Sequence, residues 1–325
     1  MSKKDERHKI SAVIACYLDG QAIPLMYDRL IKTFDKMPAD YEIIFVNDGS
    51  PDNSEEVLEK IAKKDEQVVV VTHSRNFGSQ SAFTSGMNIA TGDAVVLLDG
   101  DLQDPPELIE KFYHAWQRGF DVVYGERIKR EGSWFMELAY KSFYRIFNAI
   151  SYVDIPPDAG DFSLIDRKVV DRINSLPENN RFIRGLRAWV GYKQTGIPYL
   201  RPKRIFGKST NSLIKNFYWA RKGIFSFSFA PLNLIAWLSL IIMCVSMVAI
   251  LFQVILKILN PSIAPSGFTT LIVIILFMGG IQMFSLAIIG SYLSHVYDEV
   301  KRRPAYIVKS ISNDPRQRES KSSTL

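Results

Sequence analysis

Charged residues are almost absent from one long stretch of this 325-residue chain. Between Pro231 and Val296 the only Lys, Arg, Asp or Glu is Lys257, and the stretch contains two apolar runs, 231–257 and 268–296. At about 1.5 Å of rise per residue, a helix of either length exceeds the roughly 30 Å hydrocarbon core of a bilayer. Two buried core helices are the alternative, but soluble domains rarely contain two such segments. The sequence therefore predicts two transmembrane helices.

Positive charge flanks these runs on one side of the predicted membrane. Arg221 and Lys222 precede the first run and 301–303 follows the second, whereas the connection 260–267 carries no Lys or Arg. Because cytoplasmic flanks are enriched in Lys and Arg, we expect both termini in the cytoplasm, at a bacterial inner membrane. The expected parts are a cytoplasmic domain, an interfacial amphipathic segment, two spans and a cytoplasmic tail, at residues 1–208, 209–230, 231–300 and 301–325.

Cysteine is also scarce, and the first residues do not have the pattern expected of a secretory signal. Cys16 and Cys244 lie in very different segments, which excludes a disulfide framework and favours a reducing compartment. The N-terminus, MSKKDERHKI, is charged and has no apolar core. The net charge of +6 is modest, so it suits a membrane surface and does not indicate a nucleic-acid partner.

The first part of the chain alternates apolar runs with amphipathic stretches. We predict strands at 10–17, 41–46, 68–72, 93–98 and 120–125, and helices at about 22–36, 54–64, up to Ala90, and 105–117. Continuous Val/Ile/Leu strands separated by helices indicate an α/β domain with a mainly parallel sheet covered on both faces. Ligands of such sheets bind beyond the carboxyl ends of the strands. Those ends carry Asp48, Arg75, Asn76, Asp99 and Asp101.

Three acids follow the fourth strand in VVLLDGDLQDPPE (95–107). Asp99 and Asp101 are two residues apart in an extended strand end, so their side chains point the same way. Paired carboxylates suit a hard divalent cation that also binds substrate phosphates, and Gln103 continues the register. Alone, D-G-D is equally typical of a polar turn; its place at a strand end favours the metal. We interpret Asp104 and Glu107 as caps of the next helix.

The second strand ends at NDGSPDNS (47–54), where Asp48 can accept hydrogen bonds from a ribose or a base. Nicotinamide-dependent enzymes also place an acid after this strand. They need a glycine-rich turn after the first strand, however, and CYLDGQAIP (16–24) contains a single glycine. A dehydrogenase is therefore disfavoured.

Taken together, these motifs resemble glycosyltransferase family 2, specifically its membrane-bound polyprenyl-phosphate type. Bactoprenol glucosyltransferases are the most similar branch, and dolichol-phosphate mannose synthases are more distant. The resemblance covers nearly the whole chain and rests on NDGSPDNS, RNFGSQSAFTSG (75–86), LLDGDLQDPPE and the two C-terminal apolar runs. It implies a GT-A, Rossmann-like α/β catalytic domain followed by two transmembrane helices. The first loop departs from the family's P-x-Y-N-E pattern, since Leu18 stands at the usual Asn position.

The resemblance also implies site residues. The donor nucleotide sugar would contact Tyr17, Asp19, Asp48, Arg75, Asp99, Arg201, Arg204 and Lys208. A Mg²⁺ or Mn²⁺ ion would be bound by Asp99, Asp101 and Gln103. The lipid phosphate would be held by Arg127, Lys141 and Arg145, although a solvated basic helix face is the alternative for each. The catalytic-site acids would be Asp158 and Asp161.

The implied reaction is inverting transfer of a hexose, glucose from UDP-glucose, to a polyprenyl monophosphate at the cytoplasmic membrane face. A phosphate monoester with a second pKa near ~6 is largely ionised at neutral pH. We therefore expect the two acids to position groups rather than to act as a general base. The expected partners are the nucleotide sugar, the polyprenyl phosphate and the bilayer, and assembly as a homo-oligomer is compatible with the sequence.

Three other functions stay open at this stage. A dolichol-phosphate mannose synthase would use GDP-mannose at the same metal site. A processive polysaccharide synthase shares the early motifs but usually has a Q-x-x-R-W motif, which this chain lacks. A membrane-anchored nucleotide-sugar-binding protein without catalysis is the third.

Overall fold

The computed structural model describes residues 7–128, 151, 153, 155–156, 159–202, 206, 227–259 and 267–315. Its strands are β1 (Lys9–Cys16), β2 (Asp40–Asn47), β3 (Val68–His73), β4 (Ala94–Asp99), β5 (Val122–Arg127), β6 (Ala159–Asp166), β7 (Gln194–Tyr199) and β8 (Val308–Ser312). Its helices are α1 (Ile23–Phe34), α2 (Ser54–Ala62), α3 (Ser79–Ile89), α4 (Leu108–Gln117), α5 (Arg167–Ser175), α6 (Ile183–Trp189), α7 (Ala230–Leu259) and α8 (Phe268–Val300).

The strands of the described residues form one mixed sheet in the order β7-β5-β6-β4-β1-β2-β3-β8. Pairing is parallel between β1 and β2, β1 and β4, β2 and β3, and β5 and β7. It is antiparallel where β6 lies between β4 and β5, and where β8 lies beside β3. The prediction of a mainly parallel α/β sheet is confirmed, and so are its first five strands and first four helices.

Two hydrophobic layers cover the sheet, one on each face. Alternate residues of β1 show the division, because successive side chains of a strand point to opposite faces. Ile10 and Ile14 pack in the layer formed by α1, α2 and α4, whereas Val13 and Ala15 pack in the layer formed by α3, α5 and α6. The strand order and this double cover direct the carboxyl ends of β1 to β4 to one open edge of the sheet.

Two long helices follow the sheet domain. α7 has 30 residues and α8 has 33, and large apolar side chains such as Val248, Phe277 and Leu286 are more than half exposed on them. Within the described residues, Phe277–Val300 is the one helical segment long and apolar enough to cross a membrane, and Ala230–Ile242 is a shorter apolar segment. Exposed apolar surface of this extent indicates contact with lipid or a partner.

After α8 the chain returns to the sheet domain. β8 pairs antiparallel with β3, placing Ile311 beside Val71. Asn313 fixes the far end of this segment, because its Nδ2 donates to Ala62 O at 2.7 Å and to Val68 O at 2.9 Å. The region that the sequence indicated only as a tail therefore covers the β3 edge of the sheet.

Candidate active site

Loops that follow β1 and β2 are tied together at the carboxyl edge. Leu18 N donates to Ser50 Oγ at 2.8 Å, and Gly20 N donates to Asp52 Oδ2 at 3.0 Å. Leu18 has a φ of 61°, a left-handed conformation that asparagine adopts more readily than leucine. Tyr17 is about two-fifths exposed beside it.

Two glycines allow the loops to approach one another. A Cβ atom at Gly100 would lie 3.0 Å from both Ala15 O and Asp19 Oδ2, so a larger residue would press on the end of β1 and the loop that follows it. Gly49 has a φ of 61°, and a Cβ there would overlap the backbone of Arg75. The glycines of D-G-D and N-D-G are therefore needed for close contact between adjacent loops.

The carboxylates of the D-G-D motif lie beside one guanidinium. Arg201 Nη2 is 3.8 Å from Asp99 Oδ2 and 3.9 Å from Asp101 Oδ2, and its Nε is 3.7 Å from Asp104 Oδ1. Asp99 is about one-third exposed, whereas Asp101 and Asp104 are buried. The structure thus brings together Asp99 and Asp101, predicted to bind the metal, and Arg201, which the family resemblance assigned to the donor, and it adds Asp104.

Asp104 belongs to this cluster and does not cap a helix, so its predicted role is wrong. α4 begins at Leu108, and Asp104 Oδ1 accepts a 2.5 Å hydrogen bond from Tyr199 Oη. Arg127 Nε donates to the same Tyr199 oxygen at 3.3 Å, which links this predicted acceptor residue to the cluster. Glu107 makes no side-chain cap either, because it pairs with both Arg29 Nε and Nη2 at 2.8 and 2.6 Å.

Negative charge dominates around Asp99. Its removal from water and the repulsion of Asp104, Asp101 and Asp161 raise the pKa of Asp99 to about 8, although Arg201 acts in the opposite direction. A carboxyl that resists ionisation for these reasons is one that a further cation would stabilise in its ionised form. The donor set is two carboxylates, at the last residue of β4 and two residues beyond it, and carboxylate oxygens are the ligand type that Mg²⁺ and Mn²⁺ prefer.

No cluster of three or more His, Cys, Asp or Glu side chains with metal-binding geometry occurs among the residues that the structure describes. An ion of the Mg²⁺ type commonly takes one or two carboxylates and completes its shell with substrate phosphates and water. Gln103 is turned elsewhere, since its Nε2 donates to Pro202 O at 3.2 Å. Asp99 and Asp101 fit such an ion, and a contribution from Gln103 would require its side chain to turn.

Asp161 lies on β6 next to the carboxylate cluster. Its Oδ2 accepts from Gln80 Nε2 at 3.1 Å, and its Oδ1 is 3.7 Å from Arg184 Nε. Gln80 is held in turn by Ile183 N, which donates to its Oε1 at 2.7 Å. Nearby Arg187 is fully buried, and burial lowers its pKa to about 10. Asp161 is therefore fixed by α3 on one side and by the arginines of α6 on the other.

Asp48 is buried and organises the loop after β3. Its Oδ1 accepts from His73 Nδ1 at 2.8 Å and from Phe77 N at 2.9 Å, and its Oδ2 accepts from Gly78 N at 2.7 Å. Arg75 is exposed in that loop, and its guanidinium lies 4.0 Å above the ring of Phe77. A direct contact between Asp48 and a nucleotide stays a prediction; its observed contacts order the Arg75 loop.

Several predicted site residues lie outside the described part of the chain: Lys141, Arg145, Asp158, Arg204 and Lys208. Other residues at the site were missed by sequence reasoning, namely Asp104, Tyr199, Gln80, Arg184 and His73. The spacing signal for Asp104 was present, because it stands three residues after Asp101. Gln80 and Tyr199 lie inside a helix and a polar edge strand, where nothing local distinguishes them.

The family model and the similar proteins agree on one family. The model of glycosyl transferase family 2 matches residues 11–173. An uncharacterized glycosyltransferase of Synechocystis sp. is 41% identical over 93% of this chain and 95% of its own length. A prophage bactoprenol glucosyl transferase homolog of Escherichia coli is 36% identical over 93% and 99%. Mannosyl-3-phosphoglycerate synthase from Rubrobacter xylanophilus has a TM-score of 0.49 at 16% identity, covering 67% of this chain and 72% of that chain; this weak likeness adds nothing to the family match.

Proposed function

The chain belongs to glycosyl transferase family 2 and is a hexosyltransferase, and from this premise we propose that it transfers glucose from UDP-glucose to a polyprenyl monophosphate. Relatives that are 36% identical over 93% of the chain carry the name bactoprenol glucosyl transferase. That name supports glucose as the sugar and an isoprenoid lipid as the acceptor. The uridine nucleotide and the metal ion are further parts of the proposal.

One observation carries the proposal: carboxylates and a guanidinium converge at the carboxyl edge of the parallel strands. Asp99 and Asp101 would hold Mg²⁺ or Mn²⁺, an ion that when bound stabilises the charge growing on a leaving nucleoside diphosphate. Arg201, within 4 Å of both carboxylates, is placed to counter the same charge from the protein side. A site with this charge pattern suits diphosphate departure.

The acceptor side requires charge compensation more than proton removal. A phosphate monoester is already ionised at neutral pH, because its second pKa is near ~6. Attack by such an oxygen on the anomeric carbon displaces the diphosphate and inverts the configuration. Arg127 and Arg184 are described cations beside Asp104 and Asp161 and would balance the incoming phosphate. Asp161, fixed by Gln80, would position the reacting groups; Asp158, Lys141, Arg145, Arg204 and Lys208 keep the roles that the family pattern implies.

We place the reaction at the cytoplasmic membrane face. The apolar segment Phe277–Val300 supports one span, and the exposed apolar side chains of α7 support a second. The interfacial segment keeps its predicted boundaries in this proposal, whereas residues 308–313 of the predicted tail belong with the sheet domain. This arrangement holds the carboxyl edge of the sheet near the headgroups, where a lipid phosphate lies.

The test is transfer by the full-length protein in nanodiscs containing undecaprenyl phosphate, with Mn²⁺ and radiolabelled UDP-glucose, UDP-galactose or GDP-mannose. We expect labelled lipid with UDP-glucose. Asp101→Asn should lower kcat at least about a hundredfold, the scale seen when a charge-stabilising group is removed. Asp28→Asn, at an exposed position on α1, should behave as wild type.

Other outcomes would contradict the proposal in distinct ways. Labelled lipid from GDP-mannose alone would assign a mannose-phosphate synthase. Nucleotide binding without transfer from any of the donors would assign a non-catalytic binding protein. Full activity of Asp101→Asn would remove Asp101 from the metal site.

A further inference from the structure

The segment that follows α8, residues 304–313, crosses from the end of the long helix to the edge of the sheet, and we name it the strap. Ser74 N donates to Ile307 O at 2.9 Å, and Ser81 Oγ donates to Ala305 O at 3.0 Å. The strap therefore touches both the loop after β3 and the first turn of α3. These are the elements that carry Arg75 and Gln80.

Tyr306 makes the most specific contact of the strap. Its ring stacks on His73, with ring centroids 5.3 Å apart and planes inclined by 13°. Its hydroxyl accepts from Asn88 Nδ2 at 2.8 Å. His73 is buried, and its ring also meets the edge of Phe77 at 5.7 Å. Tyr306 therefore contacts the same histidine ring as Phe77, whose backbone N–H donates to Asp48.

From His73 the contacts continue into the site. An ionised carboxylate only accepts, so His73 Nδ1 donates to Asp48 Oδ1. Asp48 accepts from Phe77 N and Gly78 N as well. Gly49, in the loop after β2, packs directly against the backbone of Arg75, where a Cβ atom would overlap Arg75 C. A change in the plane of His73 would therefore alter the hydrogen bonds that shape the Arg75 loop.

The other end of the strap is also fixed. Glu299, in the last turn of α8, accepts from Asn179 N at 3.1 Å and from Asn180 N at 3.2 Å. The loop between α5 and α6 therefore holds the end of the helix against the sheet domain. Only a few residues separate this anchor from Tyr306, so the position of Tyr306 follows that of α8.

We propose that Tyr306 is a positioning residue for donor binding: by stacking on His73 it orients Asp48 and orders the Arg75–Gly78 loop for the nucleotide diphosphate sugar. This proposal rests on the proposed function, since that loop is assigned to the donor site. It links the end of α8 to donor affinity through contacts in a single chain. A strap that only covered the exposed β3 edge would not need the aromatic stack.

The experiment uses the full-length protein in nanodiscs and compares Tyr306→Ala with the conservative Tyr306→Phe, which keeps the ring. Lys309→Met is the matched strap control, because it removes only an exposed ion pair with Glu55. For Tyr306→Ala we expect faster hydrogen exchange at the Phe77 and Gly78 amides. We also expect donor KM and the Kd of UDP to rise about tenfold, the upper scale of an aromatic pair, with kcat within about twofold.

Tyr306→Phe should restore donor KM to near the wild-type value, and Lys309→Met should leave it unchanged. Tyr306→Leu retains an apolar side chain without a ring, and it replaces the alanine variant if that variant does not fold. The same rise in donor KM and in the Kd of UDP is expected. The proposal is overturned if either truncation leaves donor KM and UDP affinity unchanged, or lowers kcat with KM constant.

Failure of the proposed function would look different. If the wild type bound neither UDP nor GDP, the donor assignment would be wrong. Hydrogen exchange at the Phe77 and Gly78 amides could still be compared between Tyr306→Ala and Tyr306→Phe. Equal exchange in those two variants would then overturn the link between the strap and the loop. A difference confined to the alanine variant would support it.

Discussion

At the scale of single residues, the surroundings of Asp99 disfavour its ionised form, and the same surroundings make it a suitable ligand for a cation. Its pKa of about 8 results from partial removal from water and from three neighbouring carboxylates. Between the pKa of an ordinary aspartate, ~3.9, and about pH 8, the folded protein without metal retains a proton that the unfolded chain has already released. The free energy of unfolding therefore falls as pH rises from the ordinary aspartate range to about 8, and a bound cation removes this loss.

The first prediction concerns Mn²⁺ and pH. Mn²⁺ must displace a proton from Asp99 at pH 6.5 but not at pH 9, so it should raise the thermal unfolding midpoint more at the higher pH. Asp99→Asn removes the repulsion between this carboxylate and its neighbours. The variant should have a higher thermal unfolding midpoint than wild type at pH 9 without metal, and its response to Mn²⁺ should not depend on pH. Thermal unfolding with and without Mn²⁺ at the two pH values measures both.

Asp28→Asn, on the exposed face of α1, is the matched control for a lost carboxylate and should leave the Mn²⁺ effect as in wild type. A stabilisation by Mn²⁺ of equal size at pH 6.5 and pH 9 in the wild type would show that Asp99 holds no displaceable proton.

At the scale of elements, the sequence predicts well wherever an element is both apolar and local. β1 to β4 are continuous apolar runs and α1, α2 and α4 have one apolar face, so period and composition agree. β7 (QTGIPY) and β8 (VKSIS) are polar strands at the sheet edges, and their pairing is decided by distant partners. Their residues could therefore not be assigned from local pattern.

The same reasoning explains which parts of the site were found. Asp99, Asp101 and Arg75 follow apolar strands, and the sheet topology brings strand ends together. Asp104 was misassigned because D-P-P-E is also a helix-start pattern, and its partner Tyr199 is 95 residues away. Contacts between remote elements carry no local signature.

The second prediction concerns the link between α3 and β6. Gln80 is buried, and its amide joins Asp161 to Ile183 N. Gln80→Leu would release Asp161 and leave a buried N–H without its partner, which costs about 1–3 kcal/mol. We expect kcat to fall about tenfold or more while the donor KM stays near wild type, because Asp161 acts on the acceptor side. Steady-state kinetics with varied UDP-glucose measures both constants.

Gln117→Leu provides the control, because Gln117, the last residue of α4, donates to Tyr113 in the same helix. A rise in donor KM at constant kcat for Gln80→Leu would contradict the role assigned to Asp161 and indicate a change on the donor side.

At the scale of the whole molecule, buried and exposed apolar surface are distributed unevenly. Both faces of the sheet are covered, whereas apolar side chains along α7 and α8 face outward, including Trp237, Leu251 and Leu293. Lys301, Arg302 and Arg303 follow α8 directly. This distribution favours the proposal that the two helices lie in lipid with their charged ends at one surface.

The last prediction tests this topology with cysteine reporters. Cys16→Ser with Cys244→Ala gives a cysteine-free background, to which Ser262→Cys, in the connection between the runs, or Ser322→Cys, in the tail, is added singly. A membrane-impermeant maleimide applied to intact spheroplasts should label the first reporter and should label the second only after permeabilisation. The cysteine-free protein should not be labelled.

The native Cys244 gives an independent measure of depth. Its side chain is exposed on α7, so a chain in water would react there, whereas hydrocarbon around the middle of the first run should protect the thiol until detergent is added. Cys16 is buried and contributes no signal before unfolding. Rapid labelling of Cys244 in intact membranes, or labelling of the Ser262 reporter only after permeabilisation, would contradict two spans with the catalytic domain in the cytoplasm.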